Sequence, residues 1–345
     1  MPDSTIGSDG IEEVSVNAKA TPVPSTLQYL RKCQIVLADA GGSGLDFSAL
    51  KVTFQVRRGD SQTPNACDLR IYNLSDSTAN QIQNEFTQIS LSAGYEGNMG
   101  LIFTGSIKQA RRGRIDGKDS YVDVTAADGD EAYNFAPMSL SLRAGATPTD
   151  AAQQFLAHMG SYGITKGYQP TFSSNGLTRG RVFYGLASDE LRDFAESNDV
   201  TWSIQDGALT FIPLNSFIPS GAVPIISQST GMIGVPEQTQ NGISVTTLLN
   251  PQLKIGQRVK LQGTVNLYRY GLDLSSGATN MMLSQTATKT NADGMYYVMR
   301  AEHVGDTRGE DWYTQLTCLA VDALVPESEV SQSLIAPAAA AIVPR

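Results

Sequence analysis

The side chains best suited to chemistry are few and scattered in this 345-residue sequence. His158 and His303 are its only histidines, with no HExxH run and no Gly-x-Ser-x-Gly elbow, so imidazole-based metal, triad or acid–base chemistry has little to build on. Cys33, Cys67 and Cys318 form no CxxC or Cys/His cluster, which argues for buried free thiols over a zinc site or a disulfide framework. Glu190 with Asp193, and Glu302 with Asp306, are the carboxylate types a glycosidase needs, yet they read as cap and turn residues. Asp123, Asp128, Asp130 and Glu131 miss the spacing of an EF-hand loop and read as turn acids. The run Asp39-Ala40-Gly41-Gly42-Ser43-Gly44 lacks the Lys-Ser/Thr ending of a phosphate loop and leads into a strand pattern, so a hairpin is expected. These residues assign no catalytic, cofactor-binding or metal site. The expectation is a protein that is not an enzyme and uses no cofactor.

The elements that position these residues are mostly strands. Hydrophobic residues make up 41% and charged residues 17% of the chain, a globular composition, and 32 glycines among short Val, Thr and Ile runs favour many short strands joined by turns. Leu50, Val52, Phe54 and Val56 alternate with polar residues, and the run 68–74 continues that period of two, so one face is buried. Ser75 reads as the cap of a helix with Ala79, Ile82, Phe86 and Ile89 on one stripe. Strands follow at 89–95, 101–108 and 121–125, with Asp116-Gly117 as a turn. Thr147 and Pro148 open a second helix that carries Ala152, Phe155, Leu156 and Met159 inward and ends at Gly160. A third helix is expected from Ser188 with Leu191, Phe194 and Ala195 inward, and then a hairpin turning at Asp206-Gly207. Strand pattern resumes at 242–245, 259–261, 295–301 and 312–319.

The fold class expected is therefore mainly β (α+β): two related β-barrel-type domains with a small α/β domain between them. The boundaries are a flexible N-terminal arm at 1–30, a first barrel-type domain at 31–142, an α/β insert at 143–228, a second barrel-type domain at 229–327 and a flexible tail at 328–345. An internal repeat supports the relation. Ile71-Tyr72-Asn73-Leu74 is matched by Leu248-Leu249-Asn250-Pro251, Ile89-Ser90-Leu91 by Val259-Lys260-Leu261, and Tyr121, Val124 and Thr125 by Tyr313, Leu316 and Thr317. Convergent strand grammar is the alternative source of these matches.

Charge narrows the partners. Against 25 basic residues stand 34 acidic ones, a net of −9, which opposes general attraction to phosphate backbones. A weakly repelling wall suits transit of nucleic acid better than binding, and the charge serves solubility equally well. No apolar run approaches the roughly 20 residues that cross a bilayer, and the start MPDSTIGSDG has no apolar leader, so neither membrane binding nor export is expected.

Two stretches carry a family resemblance: STGMIGVPEQTQNGISVTTLLNPQLKIGQRVKL from Ser229 to Leu261, and YYVMRAEHVGDTRGEDWYTQLTCLAVD from Tyr296 to Asp322. They resemble the baseplate hub proteins of contractile-tailed phages, and Leu191 to Pro213 is similar to the helix, strand and hairpin unit of the late-control and hub group, to which type VI secretion spike proteins are related. The resemblance implies a structural virion protein of the tail baseplate, assembled in the bacterial cytoplasm. It implies three chains forming a ring of six quasi-equivalent barrels around a central passage, joining a six-fold tail tube to a three-fold spike. The implied partners are further copies of the chain, the tail tube protein and the central spike protein, with tape-measure and baseplate wedge proteins beyond them and DNA only in non-specific transit. Alternative readings are a tail-tip cell-wall-degrading enzyme (a peptidoglycan hydrolase) and a secretion-system spike component of the same fold. Arg111, Arg112 and Arg114, with Asp306, Arg308 and Glu310 on the corresponding second turn, are the candidate assembly-interface loops; the other reading of them is solvated hairpin tips.

Overall fold

In the computed structural model, which describes residues 12–15, 28–115, 119–214, 216–219, 223–239, 242–262 and 294–320, alternation of apolar side chains dictates most of the strands. In chain order the elements are β1 (Glu12–Ser15), β2 (Arg31–Ala38), β3 (Ser43–Asp46), β4 (Val52–Gly59), β5 (Ala66–Tyr72), α1 (Asp76–Asn84), β6 (Gln88–Tyr95), β7 (Asn98–Ile115), β8 (Asp119–Ala127), α2 (Asp130–Phe135) and β9 (Pro137–Leu142). Then come α3 (Pro148–Gly160), β10 (Thr165–Lys166), β11 (Arg181–Leu186), α4 (Ala187–Ser197), β12 (Val200–Gln205), β13 (Ala208–Pro213), β14 (Ile225–Ile226), β15 (Met232–Thr239), β16 (Gly242–Leu248), β17 (Arg258–Leu261), β18 (Gly294–Asp306) and β19 (Trp312–Ala320). The chain is mainly β, as its composition and periodicity require. The turn expected at Asp116-Gly117, the tail at 328–345 and most of the arm at 1–30 lie outside the described residues.

The chain divides into two units. The first holds 1–213 together with Leu249–Gln252 and Glu302–Tyr313; the second holds the remaining segments. In the first unit the strands run in the order β1-β3-β2-β6-β7-β8-β5-β4, and the neighbours with assigned register are antiparallel. Val52, Phe54 and Val56 of β4, Leu69 and Ile71 of β5, and Val122 and Val124 of β8 point inward and are buried. The sheet curls around them, because Trp312 meets both sides: its ring packs edge-on against Phe54 of β4 with centroids 5.5 Å apart, and its Nε1–H donates to the Gly94 carbonyl of β6 at 3.2 Å. Gly94 has a φ of +154°, and a Cβ there would stand 2.1 Å from the Asn98 carbonyl oxygen, so only glycine fits the tight β6–β7 corner.

The same unit carries a second core, made by α2, β9, α3, β11, α4, β12 and β13 around Phe155, Phe183, Leu191, Phe194, Trp202 and Phe211. Helix α3 begins as its sequence dictates. Thr147 Oγ1 accepts from the Asp150 N–H at 3.3 Å, Asp150 Oδ2 accepts from the Thr147 N–H at 2.8 Å, and Pro148 occupies the first turn. The Thr147 N–H, and after it the Thr147 hydroxyl, which donates to Asp150 Oδ2 at 2.9 Å, hold the Asp150 carboxyl below its ordinary pKa. Thr147→Ala is expected to destabilise the protein by about 1 kcal/mol, read as a lower urea midpoint at unchanged slope.

One helix ends earlier than its apolar stripe suggests. Ser75 caps α1, accepting from the Thr78 N–H at 3.2 Å, but the helix stops at Asn84 and Ile89 lies in β6, buried against β2. Eight paired positions between β6 and β2 outweigh one further helical turn. Elements α2, β9 and β11 are additions to the sequence-based expectation. The first is six residues long, and β11 exposes apolar residues, so neither carries a normal period.

In the second unit the strands follow the order β14-β17-β18-β19-β16-β15. Their core comprises Ile243, Val245, Val259, Leu261, Val298, Leu316 and Cys318, among others. The path β4-β5-β8-β7-β6 of the first unit thus recurs as β15-β16-β19-β18-β17. Faces agree as well: Val122, Val124 and Ala126 are inward on β8, and Thr314, Leu316 and Cys318 are inward on β19. The match of Ile71 to Leu248 is one residue out of face, since Thr247 is the inward residue there.

Candidate assembly interface

The arginines singled out in the first half lie on the last turns of β7 before the β7–β8 link. Arg111 faces Asp123 across the ladder, and Arg114 faces Ser120. Arg112 donates to Asn80 Oδ1 at 3.1 Å and pairs with the carboxylate of Asp76, tying the first turn of α1 to β7. The second group lies on the β18–β19 turn. Asp306 Oδ1 accepts from the Arg308 and Gly309 N–H groups, each at 2.8 Å, and so shapes the turn from within. The Arg308 guanidinium donates to the Ala49 carbonyl at 2.8 Å, and the Glu310 carbonyl accepts from Arg31 at 2.9 Å. Arg112, Asp306 and Arg308 therefore already have partners within their own unit, whereas Arg111, Arg114 and the Glu310 side chain are exposed.

Arg111 and Asp306 do come together, on the rim of a groove of about 490 Å³ along one sheet face of the first unit. Arg70, Asp68 and Asp123 line it, and the same sheet face carries charged and polar pairs on alternate positions. Arg70 forks onto Asp123 with bonds of 2.6 and 2.9 Å and lies 4.2 Å from the Tyr121 ring centroid; Arg57 pairs with Asp68; Gln55 meets Glu302. The bond to Asp123 is the main reason the Arg70 pKa is raised further. Such half-exposed pairs contribute about 0–1 kcal/mol each, and their value lies more in register and in contact with another charged surface.

Several of the remaining chemistry-bearing side chains have partners within the fold or are buried. The Glu190 carboxylate accepts from the Tyr184 N–H at 3.1 Å, and the His158 ring sits on the Pro137 carbonyl. His303 is buried at 1% exposure. In the glycine run at 39–44, Asp39 Oδ1 takes the N–H groups of Gly41 and Ser43 at 2.8 and 3.0 Å, the donors a phosphate would need. Burial pushes the thiols of Cys33 and Cys318 up to about 12, with Asp46 adding to the effect at Cys33, so neither is a thiolate at neutral pH. Among the described residues no three His, Cys, Asp or Glu side chains gather in a way that would hold a metal ion. Nor is any described helix long and apolar enough to cross a membrane.

A buried polar cluster escaped the sequence-based reading. Arg58, 5% exposed, continues the inward series of Val52, Phe54 and Val56, and it donates to Asp206 Oδ2 at 2.9 Å and to the Ile102 carbonyl at 3.0 Å. Asp128 continues the inward series of Val122, Val124 and Ala126, is 2% exposed, and accepts from the Gly207 N–H at 2.9 Å. Asn65 and Gln205 complete the cluster, which seats the β12–β13 turn on the curled sheet. Burial, then the neighbouring Asp206, raises the Asp128 pKa to about 7. The strand period continuing into Arg58 and Asp128 was the available signal.

Comparison with known proteins agrees with the resemblance in the sequence. Residues 181–268 match the family model described as baseplate hub gp41. No curated protein matches the chain in sequence. In fold it is similar to the 43 kDa tail protein of prophage MuSo2 from Shewanella oneidensis, at a TM-score of 0.53 and 10% identity over 84% of this chain and 97% of that one. It is similar also to a tail protein of Neisseria meningitidis, at 0.51 and 12% over 84% and 96%. An Escherichia coli component of the type VI secretion system, described as structurally similar to the T4 phage tail proteins gp27 and gp5, matches at 0.51 and 8% over 79% and 74%. In sequence over residues 181–268, and in fold over most of its length, the chain resembles the baseplate hub and tail proteins of bacteriophages.

Proposed function

We propose that this chain is a structural hub of a contractile phage-tail baseplate, in which three copies form a ring around a central passage and join the six-fold tail tube to the three-fold spike. The observation that carries this reading is the recurrence of one strand order, β4-β5-β8-β7-β6 and β15-β16-β19-β18-β17, in two units of one chain. A duplicated domain in a three-fold ring presents six similar surfaces, which resolves the mismatch between tube and spike. The ring's partners are the tube protein, the spike and the adjoining tape-measure and wedge proteins; DNA passes through without being bound, in keeping with a net charge of −9. Its work is assembly in the host cell and service in the virion, without catalysis. Light scattering and electron microscopy test this. The expected particle is about 111 kDa, three times 36.9 kDa, with a central opening. A chain that stays at 36.9 kDa with tube and spike proteins present would falsify the ring. The fold similarity to a type VI secretion component favours a second reading, a spike component of such a system. Antibody labelling of purified virions separates the two, since only the hub decorates tail tips.

A further inference from the structure

Besides Tyr29, Leu30, Ile115 and Ile225, the large apolar side chains exposed among the described residues form two groups, one on each unit. In the first unit, Val182, Tyr184 and Leu186 alternate along β11 and are 68%, 79% and 40% exposed, and Phe135 is 67% exposed. Phe183, between them, points the other way into the core, its ring 5.2 Å from that of Phe155. Across the ladder, Ser141, Ser139 and Pro137 of β9 stand opposite Val182, Tyr184 and Leu186 and are also exposed. The two-stranded sheet therefore has one face on the core and one apolar face outward. At each edge one backbone group is taken by a side chain: Glu190 accepts from the Tyr184 N–H at 3.1 Å, and the His158 ring meets the Pro137 carbonyl. The outward side-chain face is the surface that offers apolar contact to another chain.

In the second unit, β15 ends the strand path, and its pairing with β16 is broken by a bulge between Ile233 and Glu237, where Gly234 has a φ of +73°. The bulge spoils this edge for strand pairing while leaving Ile233 and Val235 46% and 42% exposed. Glu237 follows directly. At the Val182 end of the other patch, Arg143 and Arg179 are exposed.

We infer that in the assembled ring the β9–β11 face of one copy packs on the β15 bulge of the next copy; this rests on the hub reading above. The first patch, with Val182, Tyr184 and Leu186 exposed on one strand face, suits the apolar centre of an interface, which typically buries about 800 Å² per partner. The charges can pair at one end of the contact: Arg143 and Arg179 stand exposed at the Val182 end of one patch and Glu237 beside the other, while the acid of the first patch, Glu190, is engaged with the Tyr184 N–H. Two different patches meeting is a heterologous contact, which propagates around a ring instead of ending at a two-fold pair.

Tyr184→Asp and Val235→Asp test the contact at exposed positions, with circular dichroism and the melting temperature showing that the fold is kept. Each is expected to shift the wild-type ring of about 111 kDa to single chains of 36.9 kDa, a rise of at least about 100-fold in the dissociation constant. Tyr184→Cys co-expressed with Val235→Cys should yield a covalent two-chain species under mild oxidation, and neither variant should do so alone. A wild-type ring that survives both aspartates, a co-expressed pair that does not cross-link, or Tyr184→Cys cross-linking to itself overturns this contact and leaves the hub standing. A wild-type chain that remains single beside tube and spike proteins overturns both.

Discussion

Phe194→Ala is expected to destabilise the protein by about 3–5 kcal/mol, among the largest effects of any single truncation. Phe194 is 2% exposed on α4 and touches three rings, with centroids 5.5 Å from Phe155, 5.7 Å from Phe172 and 5.7 Å from Phe211. Those rings are held by α3, by the segment before β11 and by β13, three elements anchored in different ways. They cannot all move inward to refill the space, so the lost transfer energy is joined by the cost of a cavity. Exposed Gln153, on α3, provides the control: Gln153→Ala should change stability by less than about 0.5 kcal/mol. Urea unfolding at constant slope measures both. A change below about 1 kcal/mol for Phe194→Ala would mean that this cluster is loosely packed.

Stability should fall as pH rises from 5 to 8, and Asp128→Asn should remove much of that slope. Burial, with Asp206 nearby, raises the folded-state pKa of Asp128 from the model-peptide value of 3.8 to about 7. Between these values the native state binds a proton that the unfolded chain has already lost. The Asp128 contribution to stability is therefore complete below about pH 4, declines through the interval and is lost above about pH 7. The fall between pH 5 and 8 is about 2–3 kcal/mol for a shift of this size. Asparagine keeps an oxygen for the Gly207 N–H but carries no charge, so its variant should lose much less over the same range and exceed the wild type at pH 8. Arg58 and Asp206 face Asp128 in the cluster and remain in both proteins, so the difference between the two pH profiles isolates Asp128. Identical profiles would show that Asp128 keeps an ordinary carboxylate pKa.

Much of the local architecture was legible because it depends on neighbours in sequence. Thr147 with Pro148 and Asp150 forms a capping box whatever the rest of the chain does. Asp206 and Gly207, both at positive φ, turn the hairpin between Trp202 and Phe211 as a two-residue turn should. The alternation of Val52, Phe54 and Val56 placed a strand with one buried face. What failed depended on distant pairing. The sequence offered Ile89 both to the α1 stripe and to a strand at 89–95, and the choice was made by a partner strand some fifty residues earlier (Ile89 opposite Leu37). Strand β11 was missed because its outward residues are as apolar as its inward ones, which erases the period of two.

The candidate interface divides in the same way. Arginines and acids at hairpin ends can be listed from sequence, but their partners cannot. Arg112 and Arg308 look like free cations in the sequence, and in the fold they tie β7 to α1 and the β18–β19 turn to the chain before β4. Conversely, nothing in the sequence marks Val182, Tyr184 and Leu186 as exposed, and it is the fold that pairs their strand with β9 and turns these side chains outward.

By itself the sequence determined that the chain would be mainly β, that α1 and α3 would be capped and that Asp206-Gly207 would turn a hairpin, all consequences of short-range sterics and of periodic apolar side chains. Only the tertiary structure decided which inward positions would be charged, how Arg58, Asp128 and Asp206 would share one buried cluster, and which apolar faces would remain uncovered. Burial, charge coupling and exposure belong to segments brought together from far apart in the chain, and no local pattern specifies them.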